Sequence, residues 1–485
     1  MASWAGMRAT ATPSQIEAVA RAIRTTPIID HHAHPLLKPD ALGNRPLLAI
    51  TTEANGDAIH SAITSLPHLR AVRQLAGELG CAFTWEAVVA AIEEKRLLCP
   101  EDWATDCLWT IQTILIDDGL DNENDANPYP WHDDFTRSRC KRIVRIEKAA
   151  ADIIRRLASS RDKPAQAADV FGEWIQEFDS YIVTALDDPD VAGFKSVVGY
   201  RTGLDVTNEP SELLESRARE EFKEIMASDA AQDFKKLEHK SLNDLVVHRT
   251  AQLVRDSPPG QKKPLQFHTG LGDNDLILPK SSPSHLQKFI RMYPTVPIVL
   301  LHAGYPFTQE TGYMASVYEN VYADIGEVFP CVSHDGQERI LREILELCPW
   351  SKILWSTDGR WFPETYLLAI IQMREVFSTV SFPLLVLDAW LTVAGPLRLC
   401  PQRAHGVESR HRPCPGRPLQ KRQQAVPSRN RVRGDRGRGW WRGGTLVPER
   451  RRAPPSLPKE PAGSRLCQDL LERFHRNTAH AHDPL

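Results

Sequence analysis

No stretch of this 485-residue chain stays apolar long enough to span a bilayer, so no membrane segment is expected. The opening run MASWAGMRATATPSQ has no basic segment leading into an apolar one, so no secretory signal is expected either. Nine cysteines are scattered without a CxxC pair, in a chain too large to need disulfide staples. Reduced thiols in the cytoplasm follow. No cysteine sits beside an evident catalytic histidine, so nucleophilic thiol chemistry is not expected. A basic surplus is also missing from most of the chain. The formal net charge is −3, yet from Ser378 onward 20 Lys and Arg stand against 8 Asp and Glu. The first 377 residues therefore carry a surplus of 15 acidic charges, which argues against a nucleic-acid-binding body.

What the chain does have is a rhythm. Eight short apolar runs alternate with helical patterns: Pro27–Asp30, Thr113–Asp117, Arg142–Glu147, Gly193–Val198, Leu265–His268, Pro297–His302, Val321–Gly326 and Ile353–Thr357. Runs such as IVLLHAG are apolar without alternation, as parallel strands covered on both faces should be. The pattern predicts an α/β fold, a (β/α)8 TIM-like barrel. Helices are expected at Ser14–Arg24, Ser211–Ala227, Ser284–Arg291, Gly336–Leu347 and Glu364–Phe377. The stretch 39–106 exceeds one crossover helix and reads as a helical insertion over the barrel mouth. The domain thus spans 1–377. From 378 to 485 the chain turns rich in Arg, Pro and Gly without periodicity. That composition cannot bury enough apolar surface to offset its conformational entropy. The tail reads as disordered, or as the product of a lost reading frame or a retained intron; an RGG-like arm is the functional alternative.

The chemistry concentrates at strand ends. In IIDHHAHP, His32 and His34 are spaced i, i+2 and project to one face of a strand. At the C-terminal end of a barrel strand that face is the interior, where active sites of this fold lie. Two neutral imidazoles there can hold one divalent metal, with Asp30 or a backbone carbonyl orienting a ring. His31 is expected to point the other way, in a structural role. LQFHTGLGD places His268 at the end of the fifth strand, IVLLHAGYP places His302 at the sixth, and ILWSTDG places Asp358 at the eighth. Singly, each histidine reads as a core residue. Together HxH, His, His and Asp form a metal set whose carboxylate can also take a proton from a bound water.

These segments, with ILIDDGL and its following Trp131-His132, RIVRIE, GFKSVVGYRTGL and VYADIGEVFP, carry a family resemblance from about Pro27 to Phe377. The chain resembles the amidohydrolase superfamily, of the amidohydrolase-related (amidohydrolase 2) type. More narrowly, it is similar to the amidohydrolase domain that precedes glutamine synthetase in FluG-type fungal and nodulin-type plant proteins. The resemblance implies His32, His34, His268, His302 and Asp358 as metal ligands, with Asp358, His302 and Lys195 as catalytic residues. Lys195 occupies the position where two-metal relatives often carry a carbamylated lysine; binding a substrate anion or pairing with a carboxylate is the alternative. No glutamine synthetase half is expected after Phe377, so ligase activity is not implied.

Arg145 and Arg201 are candidate contacts for a substrate carboxylate; Arg145 could equally pair with Glu147, the favoured reading. Glu327 is expected either behind the ligands or against substrate. Asp117 and Asp118 read as loop caps, and Trp131 and His132 could close over the pocket. The expected function is metal-dependent hydrolysis of a C–N, amide-type bond in a small molecule, with one or two divalent ions, zinc being the first choice. A glutamine- or glutamyl-like substrate is what the resemblance points to. A decarboxylase on the same barrel and a non-catalytic regulatory module are the alternatives. The expected partner is a small-molecule substrate, with no nucleic acid for the body and no membrane; a homo-oligomer stays open.

Overall fold

In the computed structural model, residues 13–120, 124–159 and 169–386 are described. All eight expected strands form: β1 (Ile28–Ala33), β2 (Ile111–Asp117), β3 (Lys141–Arg145), β4 (Val191–Ser196), β5 (Leu265–Phe267), β6 (Ile298–Leu300), β7 (Val321–Asp324) and β8 (Ile353–Leu354). They pair in sequence order, every pair parallel, in one eight-stranded sheet. The result is a nearly closed (β/α)8 barrel. Its seam is sealed by the segment just after β8. Asp358 donates its N–H to the His32 carbonyl at 3.1 Å, His34 donates to Gly359 at 2.7 Å, and Leu36 bridges Trp361 in parallel.

The apolar runs make strands because both faces are covered. Val144, Phe194, Leu265, Phe267, Ile298, Leu300, Val321 and Ala323 are buried between the barrel axis and the outer helices. Outside the sheet, helices Val170–Asp187 and Ser211–Ala227 pack through Trp174, Phe171 and Phe222, with ring centroids 5.3–5.7 Å apart, and Trp174 Nε1 donates to the Ala150 carbonyl of helix Ile146–Ser159. The interior also holds a polar layer. His31 reaches across the barrel to Asp324 at 2.9 Å, and Gln266 donates to the His31 carbonyl at 2.9 Å. His31 therefore points inward, contrary to simple alternation. The register of β1 shifts between Asp30 and Ala33, and that irregularity turns neighbouring residues to the same side.

The stretch after β1 is helical, as expected: three 3-10 turns between Pro39 and Thr64 lead into helices Leu66–Leu79, Trp85–Leu98 and Pro100–Leu108. Local sequence sets their ends. Ser65 accepts the His68 N–H at 3.3 Å, Thr84 accepts the Ala87 N–H at 3.3 Å, and Gly80 stops the first of these helices in the left-handed conformation. Each side-chain cap contributes about 1 kcal/mol. The insertion reaches the strand ends: Asn55 bonds Asn274 at 2.8 Å in the loop after β5. The last helix, Pro363–Val386, runs past the boundary expected at Phe377. The Arg/Pro/Gly-rich stretch beyond it lies outside the described residues. Among the described residues no helix is long and apolar enough to cross a membrane.

Candidate metal centre

The C-terminal strand ends bring together all five residues expected as ligands. His32 is fully buried, with Nε2 3.4 Å from Asp358 Oδ1 and 3.0 Å from Lys195 Nζ. His34 Nε2 also lies 3.4 Å from Asp358 Oδ1. The rings of His32 and His302 are 5.7 Å apart, and those of His268 and His302 4.4 Å. The second shared feature is backbone conformation. His302, Glu327 and Asp358 have φ of 66°, 55° and 49°, a left-handed region that non-glycine residues seldom occupy. Each lies in the short connection just beyond a strand, after Leu300, Asp324 and Leu354 respectively, where the chain turns sharply. Such backbone strain is concentrated at functional sites.

The donor set suits a divalent ion. His34 Nδ1 is 2.9 Å from the Asp117 carbonyl; donating there leaves Nε2 as the lone-pair nitrogen. The backbone-carbonyl option expected for ring orientation is thus realised at His34. Asp30 instead bonds the Thr357 backbone and hydroxyl. His268 commits its Nε2 to the Leu271 carbonyl at 2.6 Å. Burial holds His32 and His268 well below the ordinary histidine range and His302 down to about 3, so the imidazoles are neutral. Burial also works against ionising Asp358, but its setting beside His302, His34 and the Arg360 guanidinium outweighs it and keeps the carboxylate well below its usual range.

Several polar atoms here have no hydrogen-bond partner though they are buried: His302 Nδ1, Glu327 Oε2 and Asp358 Oδ1. His302 Nδ1 and Glu327 Oε2 lie only 3.1 Å apart without hydrogen-bond geometry. Buried unpaired acceptors are costly unless something satisfies them. Among the described residues, three groups each offer ligand atoms within 4.8 Å of one another: His32, His302 and Asp358; His32, His34 and Asp117; and His268, His302 and Glu327. Nitrogen and carboxylate donors of this kind fit a borderline or hard divalent metal.

The amidohydrolase family profile matches residues 262–399, the part of the chain that carries His268, His302, Glu327 and Asp358. Protein fluG of Emericella nidulans is 43% identical over 373 residues. The chain belongs to the amidohydrolase superfamily. As an amidohydrolase it spans 74% of its own length in that match but only 42% of the fungal protein's. Its fold is shared by a Lactobacillus casei ATCC 334 protein described as a metal-dependent hydrolase, with TM-score 0.60, 24% identity, and coverage of 74% of this chain and 89% of that one. A uronate isomerase from Thermotoga maritima has the same fold at TM-score 0.51 and 14% identity, covering 79% and 94%. The barrel therefore does not by itself choose the reaction.

Other expectations for this amidohydrolase need correcting. Arg145 does not pair with Glu147: it donates to Asp117 Oδ2 at 2.6 Å, closing a buried ion pair. β3 ends at Arg145, so Glu147 falls in the next helix and accepts the Ser196 hydroxyl at 2.6 Å. Asp117 is more than the expected loop cap. It accepts the Gly119 N–H at 2.9 Å as a cap would, but it also stands among His32 and His34. Asp118 pairs with Arg142 at 2.7 Å. Arg201 ends the short helix Val198–Arg201, half-buried, and its charge acts on Asp275 outside the cluster. His132 does not face a pocket: Nε2 accepts the Leu36 N–H at 3.0 Å, and Trp131 packs on Phe135.

Sequence reasoning passed over Glu53, Tyr200 and Arg360. The Tyr200 ring packs at a tilt with its centroid 4.4 Å from that of His268, and Arg360 NH1 lies 3.6 Å from Asp358 Oδ2. Arg360 was within reach of the strand-end rule, two residues past Asp358. Glu53, inside the insertion, carried no signal.

Proposed function

We propose that this amidohydrolase is an enzyme that hydrolyses a C–N, amide-type bond of a small molecule with the help of a divalent metal. The observation that carries this is the set of buried, unpaired acceptor atoms on His302, Glu327 and Asp358, beside the Nε2 atoms of His32 and His34. His32, His34, His302 and Asp358 would hold the ion; Asp117 lies with His32 and His34, and His268 and Glu327 lie with His302, where a second could be held. Zinc suits this mixture of imidazole and carboxylate. When bound, the ion supplies Lewis acidity, which brings the pKa of a water toward about 7.

Asp358 is the proton acceptor. It stays ionised, and its Oδ1 makes no protein hydrogen bond that would have to break before it took a proton. The same atom returns that proton to the departing nitrogen. His302, neutral and fixed by its backbone N–H to Asp324 Oδ2 at 2.9 Å, faces the carbonyl side of the substrate. Lys195 is held by burial down to about 8, so its amine is partly uncharged near neutrality. That chemistry permits carbamylation, which would turn a cation beside His32 into a second anionic ligand. Cytoplasmic location is part of the same reading, supported by six described cysteines that are all unpaired.

Metal content of the purified full chain, by plasma mass spectrometry, tests the reading. One or two equivalents of zinc are expected, lost on joint His32→Asn and His34→Asn substitution. Two equivalents that fall to one with Lys195→Ala would assign the carbamate. A folded protein that holds no metal and cannot be reconstituted would overturn the mechanism. With the metal in place, release of ammonia or amine supports C–N hydrolysis, whereas release of CO2 assigns the decarboxylase reaction instead.

A further inference from the structure

The guanidinium of Arg360 is placed and only half-used. It follows Asp358 by two residues, so the turn that presents the carboxylate to the imidazoles also carries this cation to their edge. NH2 donates to Glu53 Oε1 and approaches the Thr52 carbonyl at 3.4 Å. NH1 lies 3.6 Å from Asp358 Oδ2, too far for a hydrogen bond. Nε is buried and has no partner at all. Both side chains of the Glu53 pair are shielded, at 13% and 11% exposure. The Trp361 ring lies 5.1 Å from the guanidinium and limits its orientation. A planar fork with five donors, one buried donor idle, beside a reactive centre, is what bidentate recognition of a carboxylate uses.

We propose that Arg360 recognises a carboxylate on the substrate, and that Glu53 of the insertion is the counter-ion which the bound carboxylate displaces. This rests on the hydrolase reading only in calling the ligand a substrate; it names that substrate as an anion. Glu53 has somewhere to go when displaced, because Cys331 Sγ lies 3.7 Å from its Oε1 and remains a polar neighbour. The insertion that supplies Glu53 is anchored on the far side of the mouth through Asn55 and Asn274. Exchange of one carboxylate for another on Arg360 therefore occurs beneath the cover of the site.

Calorimetric titration with glutarate and with its neutral isostere glutaramide tests this, on both chelator-treated and zinc-loaded full-length protein. The wild type is expected to bind glutarate in preference to glutaramide even without metal, which separates Arg360 from direct coordination to zinc. Arg360→Gln should weaken glutarate about tenfold or more and leave glutaramide unchanged. Glu53→Gln should tighten glutarate several-fold, because it frees the fork; a purely structural pair would give no tightening. If Arg360→Gln does not fold, the double variant Glu53→Gln/Arg360→Gln removes both charges together and should lose the preference for glutarate. Equal binding of the two probes by the wild type, or glutarate binding untouched in the Arg360 variants, would overturn the proposal. Absence of amide turnover would overturn the hydrolase reading while leaving these titrations intact.

Discussion

Asp30 and Thr357 are joined twice: the Asp30 carboxylate accepts the Thr357 backbone N–H at 3.0 Å and its hydroxyl at 2.5 Å. Both residues are almost wholly buried. One flanks the histidines of β1 and the other immediately precedes Asp358, so this double contact sets the distance between the carboxylate and the two imidazoles.

Thr357→Val removes the hydroxyl while keeping the shape, leaving Asp30 with one fewer donor in a buried site. The expected loss is about 1–3 kcal/mol of unfolding free energy in a urea titration. Weaker metal retention during dialysis should accompany it. Unchanged stability together with unchanged retention would show that the backbone N–H alone suffices.

Asp358→Asn preserves size and removes the proposed proton acceptor. Turnover of an identified amide substrate should fall by about 10²–10⁴, while circular dichroism and the melting profile stay close to the wild type. A variant retaining a tenth or more of the rate would assign the proton transfer to another group, with Glu327 the first to examine.

Much of this was legible in the sequence. The eight strands stood out because parallel strands covered on both faces leave uninterrupted apolar runs. The ligands stood out because they follow those runs. The failures have local causes. The sixth and eighth strands stop at Leu300 and Leu354, short of the expected His302 and Thr357, because the chain passes there into left-handed backbone at His302 and Asp358 that no alternation rule describes. His31 escaped because β1 changes register between Asp30 and Ala33. Glu147 was assigned to a strand that stops at Arg145. Asp117 ended an apolar run as clearly as His268 did, and applying the strand-end rule evenly would have found it.

Arg145→Met isolates the Asp117 charge in a buried setting. A loss of about 3–5 kcal/mol is expected in denaturant unfolding, because an unpaired buried carboxylate remains. The double variant Asp117→Asn/Arg145→Met should recover much of this stability. If the single and double variants were equally unstable, packing of the Arg145 stem rather than charge would be the cause.

His132 supplies a pH dependence of known sign. Burial holds its ring down to about 4, against 6.5 when free. Between those values the unfolded chain takes up a proton that the folded chain refuses. Its contribution is complete above pH 6.5 and drains away as pH falls toward 4, by up to about 3 kcal/mol. In His132→Gln the side-chain carbonyl can accept the Leu36 N–H and does not titrate. The decline in stability between pH 7 and 5 should therefore be shallower in the variant. Parallel declines in the two proteins would remove His132 as the source.

The sealing of the barrel through Asp358 and Gly359 has a consequence for how the protein is made. The hydrogen bonds that close β1 onto the end of the sheet come from the same few residues that carry the last carboxylate to the imidazoles. A nascent chain still short of residue 358 has every histidine of the centre but neither the closure nor the acid. Closure of the barrel and completion of the full donor set are thus one event, so a chain that stops before it has neither a sealed sheet nor the carboxylate at its last strand end.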